Sequence, residues 1–253
     1  MQTLVIKNQV FIMTNNIKAI LRKILVLIAP MSFWRQVLDE ITMPRTKFKE
    51  KVLRRQYYNA SSLMINFGAG SRGKSGWVNV DAQAVKGVNC VFDCGKKQPF
   101  PDGSARCIFS EHFLEHVDYY ETAPFFLREC FRVLQPGGTI RLIVPDVGRY
   151  LKAYAQDDWS EIEKLRGLLP GHKDPYFWTN YETKMELVNM LFRQFGEHKY
   201  AYDFETIHVL LQKEGFCNII QTEFGLSADP VLAIDQKERE HESLYVEACK
   251  PLI

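Results

Sequence analysis

The sequence predicts an α/β protein whose seven strands form a doubly wound, mostly parallel sheet. From Leu63 onward, short apolar runs alternate with helical patterns, and the runs end in Gly, Asp or Asn. The composition, 46% hydrophobic and 25% charged, excludes disordered and collagen-like chains. Six cysteines in 253 residues are too few for a dense disulfide framework. We therefore expect a folded protein in a reducing, cytoplasmic compartment.

Residues 1–60 differ from the rest and are predicted to be a basic helical extension. They hold 11 Lys and Arg against 3 Asp and Glu, whereas the remainder holds 21 against 27. Apolar residues recur at helical spacing from Ile17 to Ile28, before Pro30. This helix either lies on an anionic membrane at the inner face or, as we favour, packs on the main domain. The longest uncharged stretch of this extension, Ile24 to Trp34, is shorter than the roughly 20 apolar residues that span a membrane.

The α/β domain is predicted to occupy residues 61–253. The expected strands are Leu63–Phe67, Trp77–Val80, Cys90–Phe92, Cys107–Ser110, Thr139–Val144, Asn218–Phe224 and Ser243–Cys249. A helix from about Tyr119 to Leu134 should end at Pro136-Gly137-Gly138, read as a stop and turn. Asp203 is expected to cap a second helix that reaches Glu214. Residues 148–200 fit no strand–helix rhythm and are interpreted as a cap inserted over one end of the sheet.

The first strand runs directly into a glycine loop, Gly68-Ala69-Gly70. Glycines allow a sharp turn and a close approach of backbone to ligand. Ligands of doubly wound sheets bind at the carboxyl ends of strands, where this loop lies. Asp81 ends the next strand at the same edge and can accept hydrogen bonds from two ribose hydroxyls. A plain turn and a strand-terminating acid would explain the same residues equally well.

The loop also matches the dinucleotide-binding pattern, because Gly73 completes Gly-x-Gly-x-x-Gly. That pattern requires a helix after the loop and an acidic residue about 20 positions further on. Here Asp81 follows Gly73 by eight residues, and Trp77–Val80 is already a predicted strand. This spacing argues against NAD.

Six segments follow one another in a characteristic order and spacing: Gly68–Gly70, Asp81, Asp93, residues 99–104, Ser110–His116 and Phe131–Gly138. Together they resemble class I S-adenosylmethionine-dependent methyltransferases over about residues 63–146. The resemblance is greatest to the small bacterial, type-11-like branch, which is often associated with glycan biosynthesis. The sequence departs from the family pattern in the missing helix between Gly73 and Trp77 and at Arg106, where an acid is usual.

The resemblance implies S-adenosylmethionine as cofactor and a Rossmann-like methyltransferase fold. The implied cofactor-binding residues are Gly68, Ala69 and Gly70 for the methionine part, Asp81 for the ribose, Asp93 and Cys94 beside the adenine, and Ser110 near the methyl group. It further implies methyl transfer to a small-molecule or glycan acceptor, including lipid-linked ones. We favour a hydroxyl oxygen over a nitrogen as the acceptor atom. We expect no nucleic-acid partner, since neither charge balance is extreme. The sequence does not indicate an oligomeric state.

Glu111 and His112 directly follow Ser110 at the end of the fourth strand, and either could remove the acceptor's proton. We favour His112, since an imidazole accepts protons near neutral pH. Asp146, His198 and Tyr202 are expected to contact the acceptor.

A zinc peptidase is a remote alternative, because His112-Phe-Leu-Glu-His116 is literally His-x-x-Glu-His. That motif belongs inside a helix, whereas this segment begins at a strand end, so we expect no bound metal. A second alternative is a protein that keeps the cofactor pocket without catalysing a reaction.

Overall fold

In the computed structural model, residues 50–156 and 183–252 are described. The predicted helix at residues 17–28 and the middle of the predicted cap lie outside these ranges. Contacts divide the chain into Met1–Leu53 and Arg54–Ile253, and the sheet belongs to the second unit.

The predicted seven-stranded sheet is confirmed. Its strands are β1 (Leu63–Phe67), β2 (Val78–Asp81), β3 (Cys90–Val91), β4 (Ala105–Glu111), β5 (Leu134–Pro145), β6 (Cys217–Thr222) and β7 (Ser243–Cys249). They are arranged in the order β3-β2-β1-β4-β5-β7-β6. Strands β1 to β5 pair in parallel, and β7 is antiparallel to both β5 and β6. The strand order changes direction between β1 and β4, because β2 and β3 lie on one side of β1 and the later strands lie on the other. The carboxyl ends of β1 and β4 therefore form the crevice where such sheets bind ligands.

Four helices of eight or more residues flank the sheet within the described residues. They are α1 (Thr122–Val133), α2 (Val147–Ala155), α3 (Lys184–Arg193) and α4 (Phe204–Lys213). Asp203 caps α4 as predicted, its side chain accepting a hydrogen bond from the N–H of Thr206. Thr183 and Glu186 form a capping box at the start of α3. Both α2 and α3 fall in the region predicted as a cap, so that region is partly helical.

Pro136-Gly137-Gly138 does not form the predicted turn but lies within β5, which starts at Leu134 directly after α1. The pairing of β4 with β5 shifts register beside this segment, between Ala105 and Cys107. Gly137 adopts a left-handed φ of 76°, which favours glycine. Glycine and proline within a strand are typical of such irregularities. The triplet therefore ends the helix but lets the strand begin early.

The centre of the sheet is buried on both faces, as parallel sheets are. Strand β7 is buried at every residue except Cys249, and β5 is buried at every residue from Ile140 to Pro145. The aromatic rings of Phe67, Phe100 and Phe126 pack edge to face beneath the glycine loop. None of the helices within residues 50–156 and 183–252 has the length and apolar character needed to cross a membrane.

Candidate active site

The glycine loop after β1 is tied to the end of β2 by two hydrogen bonds. Ala69 N–H donates to the Val80 carbonyl at 3.1 Å, and Gly70 N–H donates to Asp81 Oδ2 at 2.9 Å. The other carboxylate oxygen of Asp81 accepts a bond from Gln83 N–H at 2.8 Å. Each oxygen retains capacity for a further hydrogen bond, because an ionised carboxylate offers about four acceptor positions. Asp81 can therefore hold the loop and still bind a ligand's hydroxyl groups.

Two of the loop's glycines have left-handed backbones, but their surroundings differ. A Cβ on Gly68, whose φ is 69°, would lie 2.5 Å from the Cβ of Phe113, so no other residue fits there. A Cβ on Gly70, whose φ is 48°, would meet nothing within 4 Å. The loop is thus packed against the segment after β4 at one end and open at the other.

Asp93 follows β3 at the same edge of the sheet. The N–H of Phe92 donates to the backbone carbonyl of Asp81 at 2.9 Å, which places the two strand ends side by side. Asp93 is exposed, and its Oδ1 accepts a bond from Gly95 N–H at 3.0 Å. Cys94 is buried, and this burial raises the pKa of its thiol well above the ordinary value. The contact of these two residues with the adenine stays a prediction.

At the end of β4, two buried polar atoms have no hydrogen-bond partner within the described part of the chain. They are Ser110 Oγ and Glu111 Oε2. The second oxygen of Glu111 accepts a bond from Gln236 N–H at 2.9 Å. Burial raises the pKa of Glu111 above its ordinary value. Buried polar atoms are rarely left unpaired, so a partner supplied by a ligand would suit this position.

These features fit S-adenosylmethionine. Gly70 leaves room for a ligand close to the backbone, and Asp81 keeps acceptor capacity for ribose hydroxyls. Asp93 supplies a further acceptor at the neighbouring strand end, and Ser110 supplies an unpaired polar atom in the centre of the sheet. The structure thus brings together the residues that the resemblance implied for the cofactor.

His112 lies where the sequence predicted it, but both of its ring nitrogens contact protein groups. Nε2 lies 2.8 Å from Ser243 Oγ, while Nδ1 lies 3.1 Å from Arg239 Nη1 and 3.2 Å from Glu115 Oε1. The side chain is 8% exposed, and its φ of 51° is unusual for a residue other than glycine. These contacts fix the ring in place. Its role as a base remains a prediction.

The three predicted acceptor contacts have different surroundings. Asp146 caps α2, accepting a bond from Arg149 N–H at 3.0 Å. Tyr202 is 1% exposed and pairs with Asp146 in an isolated β-bridge, and burial raises the pKa of its hydroxyl strongly. His198 lies beside Glu115 and His116, with the potential ligand atoms of the three side chains within 4.8 Å of one another. His198 therefore lies near the turn that follows β4, whereas the side chain of Tyr202 is buried in the protein.

Sequence reasoning missed the residues that reach the site from the chain before β7. Gln236 binds Glu111, and Arg239 and Ser243 contact His112. More than 120 positions separate each pair, and no motif marks these residues. The proximity of His198 to His116 was missed for the same reason.

A comparison with known families matches residues 74–142 to the family described as "Methyltransferase domain". No curated protein matches the sequence significantly. Among solved structures, a SAM-dependent methyltransferase from Archaeoglobus fulgidus is similar at 15% identity and a TM-score of 0.45, over 86% of this chain and all of that one.

A possible histamine N-methyltransferase from Thermotoga maritima is similar at 15% identity and a TM-score of 0.43, over 84% of this chain and 96% of that chain. Phosphoethanolamine N-methyltransferase 2 from Haemonchus contortus, solved with S-adenosyl-L-methionine, has 14% identity and a TM-score of 0.43 over 80% of this chain. This chain spans about half the length of the Haemonchus protein, 52%.

The family match covers the chain from Lys74, beside the glycine loop, to Leu142 in β5, and so includes Asp81, Asp93 and the end of β4. The sheet continues on both sides of this match, with β1 before it and β6 and β7 after it. Residues 74–142 are therefore similar to a methyltransferase domain, and the residues around them fit S-adenosylmethionine as the cofactor.

Proposed function

We propose that the protein methylates a hydroxyl oxygen of a small-molecule or glycan acceptor. The observation that carries the proposal is Glu111, a buried carboxylate at the end of β4 with one oxygen free of hydrogen bonds among the described residues. Hydroxyl groups are poor nucleophiles until a base takes their proton, whereas many nitrogen acceptors need no such base. A buried carboxylate with a raised pKa suits that task.

S-adenosylmethionine, when bound, supplies a methyl group on a positively charged sulfur that already reacts with nucleophiles. The protein's main contribution is then to position the acceptor. Gln236 N–H donates to Glu111 Oε1, and this bond orients the carboxylate. Oε2 remains available for a hydrogen bond with the acceptor. That oxygen would accept the hydroxyl proton, and Asp81 and the glycine loop would hold the cofactor.

His112 is the second candidate for the base, and the one the sequence favoured. Its contacts with Ser243, Arg239 and Glu115 occupy both ring nitrogens, so it would have to exchange one of them for the acceptor. Glu111 needs no such rearrangement. We therefore place Glu111 first and keep His112 as the residue to test beside it.

A group of tyrosines beside the end of β4 supports an acceptor with a flat or sugar-like face. The rings of Tyr119 and Tyr200 stack with centroids 3.9 Å apart and an interplanar angle of 11°. The N–H of Tyr200 lies 3.3 Å from the backbone carbonyl of Glu115, which joins this stack to the turn after β4. Aromatic faces bind apolar ring surfaces while their hydroxyls remain available for hydrogen bonds.

The deciding experiment is an acceptor screen that measures release of S-adenosylhomocysteine, beginning with glycans and lipid-linked sugars. We expect turnover with a hydroxyl-bearing acceptor and its loss in Glu111→Gln. Glu205→Gln changes an exposed glutamate on α4 and serves as the control. If only amine acceptors turn over, the proposal of oxygen methylation is wrong. Cofactor binding without turnover of any acceptor would favour the non-catalytic alternative.

We further propose a cytoplasmic location in which the basic segment of residues 1–60 contacts the inner membrane face. Its excess of 11 basic over 3 acidic residues supports this, because each basic residue near an anionic surface contributes about 1 kcal/mol. The full chain should sediment with anionic vesicles at low salt and be released at high salt. Equal behaviour with anionic and neutral vesicles would indicate that the segment packs on the domain instead.

A further inference from the structure

Two histidines and a buried carboxylate meet beside the end of β4. The side chains of Glu115, His116 and His198 each place a potential ligand atom within 4.8 Å of the other two. Glu115 is 1% exposed, whereas His116 and His198 are partly exposed. A cluster of this composition, closed on one side and open on the other, resembles a metal site more than a surface ion pair.

Both histidine rings are oriented by hydrogen bonds to backbone carbonyl oxygens. His116 Nδ1 lies 3.2 Å from the Glu197 carbonyl, and His198 Nδ1 lies 2.6 Å from the Leu191 carbonyl. A carbonyl oxygen only accepts, so each Nδ1 carries the proton and each Nε2 keeps its lone pair. A hydrogen bond of this kind accompanies most histidines that bind metals.

The carboxylate of Glu115 is buried, and neither of its oxygens has a hydrogen-bond partner among the residues that the structure describes. Oε1 lies 3.2 Å from His112 Nδ1 and 3.9 Å from His116 Nε2. Removing a carboxylate from water is costly unless a cation or donors compensate it. A metal ion bound by this carboxylate and the two imidazoles would supply that compensation.

The two segments that carry the cluster are joined by their backbones. The Glu115 carbonyl accepts bonds from Lys199 N–H at 2.7 Å and from Tyr200 N–H at 3.3 Å. Before His198, Gln194 and Phe195 both adopt left-handed φ values, 35° and 57°. Such backbones are unfavourable for these residue types and persist only where the surroundings impose them. The backbone around His198 is therefore held in place beside Glu115.

We propose that Glu115, His116 and His198 bind one divalent transition-metal ion of the zinc class. Two imidazoles and one carboxylate are a ligand set found in zinc sites that leave the fourth position open. The ligand atoms of a tetrahedral zinc site lie about 3.4 Å apart, so the side chains need to move inward only slightly.

This proposal revises our expectation, from the sequence, of no bound metal. The His-x-x-Glu-His segment does not act through its two histidines, because His112 points to Ser243 and Arg239. His112 instead contacts the carboxylate ligand, and His198 takes the place of the second histidine. Metal binding here is independent of the proposed function, since it can be measured without cofactor or acceptor.

The test uses the full chain without an affinity tag, stripped of metal with a chelator and dialysed. Zinc is then titrated by calorimetry, its stoichiometry is measured by elemental analysis, and cobalt is added to look for visible absorption bands. His116→Ala and His198→Ala remove one ligand each. His241→Ala is the matched control, because His241 Nε2 also lies 3.9 Å from a glutamate oxygen but its side chain is 59% exposed. Circular dichroism establishes that each variant is folded.

We expect one zinc per chain, with affinity lowered at least tenfold by His116→Ala and by His198→Ala and unchanged by His241→Ala. Glu115→Gln should weaken zinc binding as well, while leaving both imidazoles in place. The proposal is overturned if the wild-type chain binds no zinc, or if the two ligand variants bind it as tightly as the control. Zinc binding that survives in both ligand variants would place the ion elsewhere.

Discussion

The backbone N–H of Gly70 donates to Asp81 Oδ2 across 2.9 Å and so joins the loop after β1 to the end of β2. One carboxylate thereby shapes the glycine loop and presents its remaining lone pairs to the space beside it. The relationship explains how Asp81 can occupy this strand end without the helix that normally separates a glycine loop from the second strand.

Asp81→Ala should weaken the binding of S-adenosylhomocysteine by about 1.5–3 kcal/mol, the range for hydrogen bonds to a charged group. Isothermal titration calorimetry measures the change. Asp81→Asn keeps one acceptor oxygen and should lose less affinity than Asp81→Ala. Unchanged affinity in the alanine variant would show that the ribose is not bound here, and binding of NAD by the wild-type chain would contradict the assignment of the cofactor.

Gly68→Ala and Gly70→Ala separate crowding from backbone strain. Both place a Cβ on a left-handed residue, which costs about 1–2 kcal/mol. Only the Gly68 variant also drives that Cβ into Phe113, at 2.5 Å, and such overpacking adds about 1–3 kcal/mol. Urea denaturation should therefore show a larger loss of unfolding free energy for Gly68→Ala. Equal losses would mean that the loop moves away from Phe113 without cost.

Much of this site could be predicted from the sequence because its residues lie at the carboxyl ends of strands. Gly68, Asp81 and Ser110 follow or end apolar runs, and parallel strands bring such ends to one edge. The contacts from Gln236, Arg239 and His198 could not be predicted, because they depend on how the segments outside the alternating pattern fold back. The start of α1 also differs from the predicted one, because Asp118 Oδ1 accepts bonds from Tyr120 N–H and Glu121 N–H and these bonds form a turn before the helix.

Arg141→Met should destabilise the fold by about 3–5 kcal/mol. Arg141 is fully buried in β5 and donates from Nε and Nη2 to Asp235 at 2.8 and 2.6 Å and from Nη1 to Glu247 at 2.8 Å. Its loss leaves two buried carboxylates without their cation. Because Asp235 precedes Gln236, the same variant should also loosen the segment that holds Glu111.

Arg106→Met is the matched control for this prediction. Arg106 also donates to both oxygens of one aspartate, Asp229, at 3.1 and 2.9 Å, but its side chain is 46% exposed. Exposed pairs contribute at most about 1 kcal/mol. Guanidinium denaturation of both variants gives the comparison. If Arg106→Met costs as much as Arg141→Met, burial of the ion pair is not what makes Arg141 important.

Asp203 should make the stability of α4 depend on pH. Hydrogen bonds from Thr206, through its side chain and its N–H, hold the pKa of Asp203 below its ordinary value. A lowered pKa in the folded state stabilises the fold above the unfolded value of about 3.9, and this contribution is lost as the pH falls through the folded value. Asp203→Ala should cost about 1 kcal/mol at pH 7.

Asp203→Asn keeps a capping oxygen without a titrating group. Its stability relative to the wild type should therefore improve as the pH falls below about 4. Urea denaturation at neutral and acidic pH measures both variants. A constant difference between wild type and Asp203→Asn at all pH values would contradict the assigned direction of the pKa.

Glu111→Gln should lower turnover by about 10²–10⁴-fold while leaving the affinity for S-adenosylhomocysteine unchanged, since the side chain would act on the acceptor's proton. Burial raises the pKa of Glu111, and a base works in its ionised form. The rate should therefore fall with decreasing pH at a higher pH than an ordinary glutamate would give, and this acidic limb should vanish in Glu111→Gln. His112→Gln is measured beside it. If only His112→Gln lowers turnover and cofactor affinity is intact, His112 is the base, as the sequence favoured, and Glu111 is not.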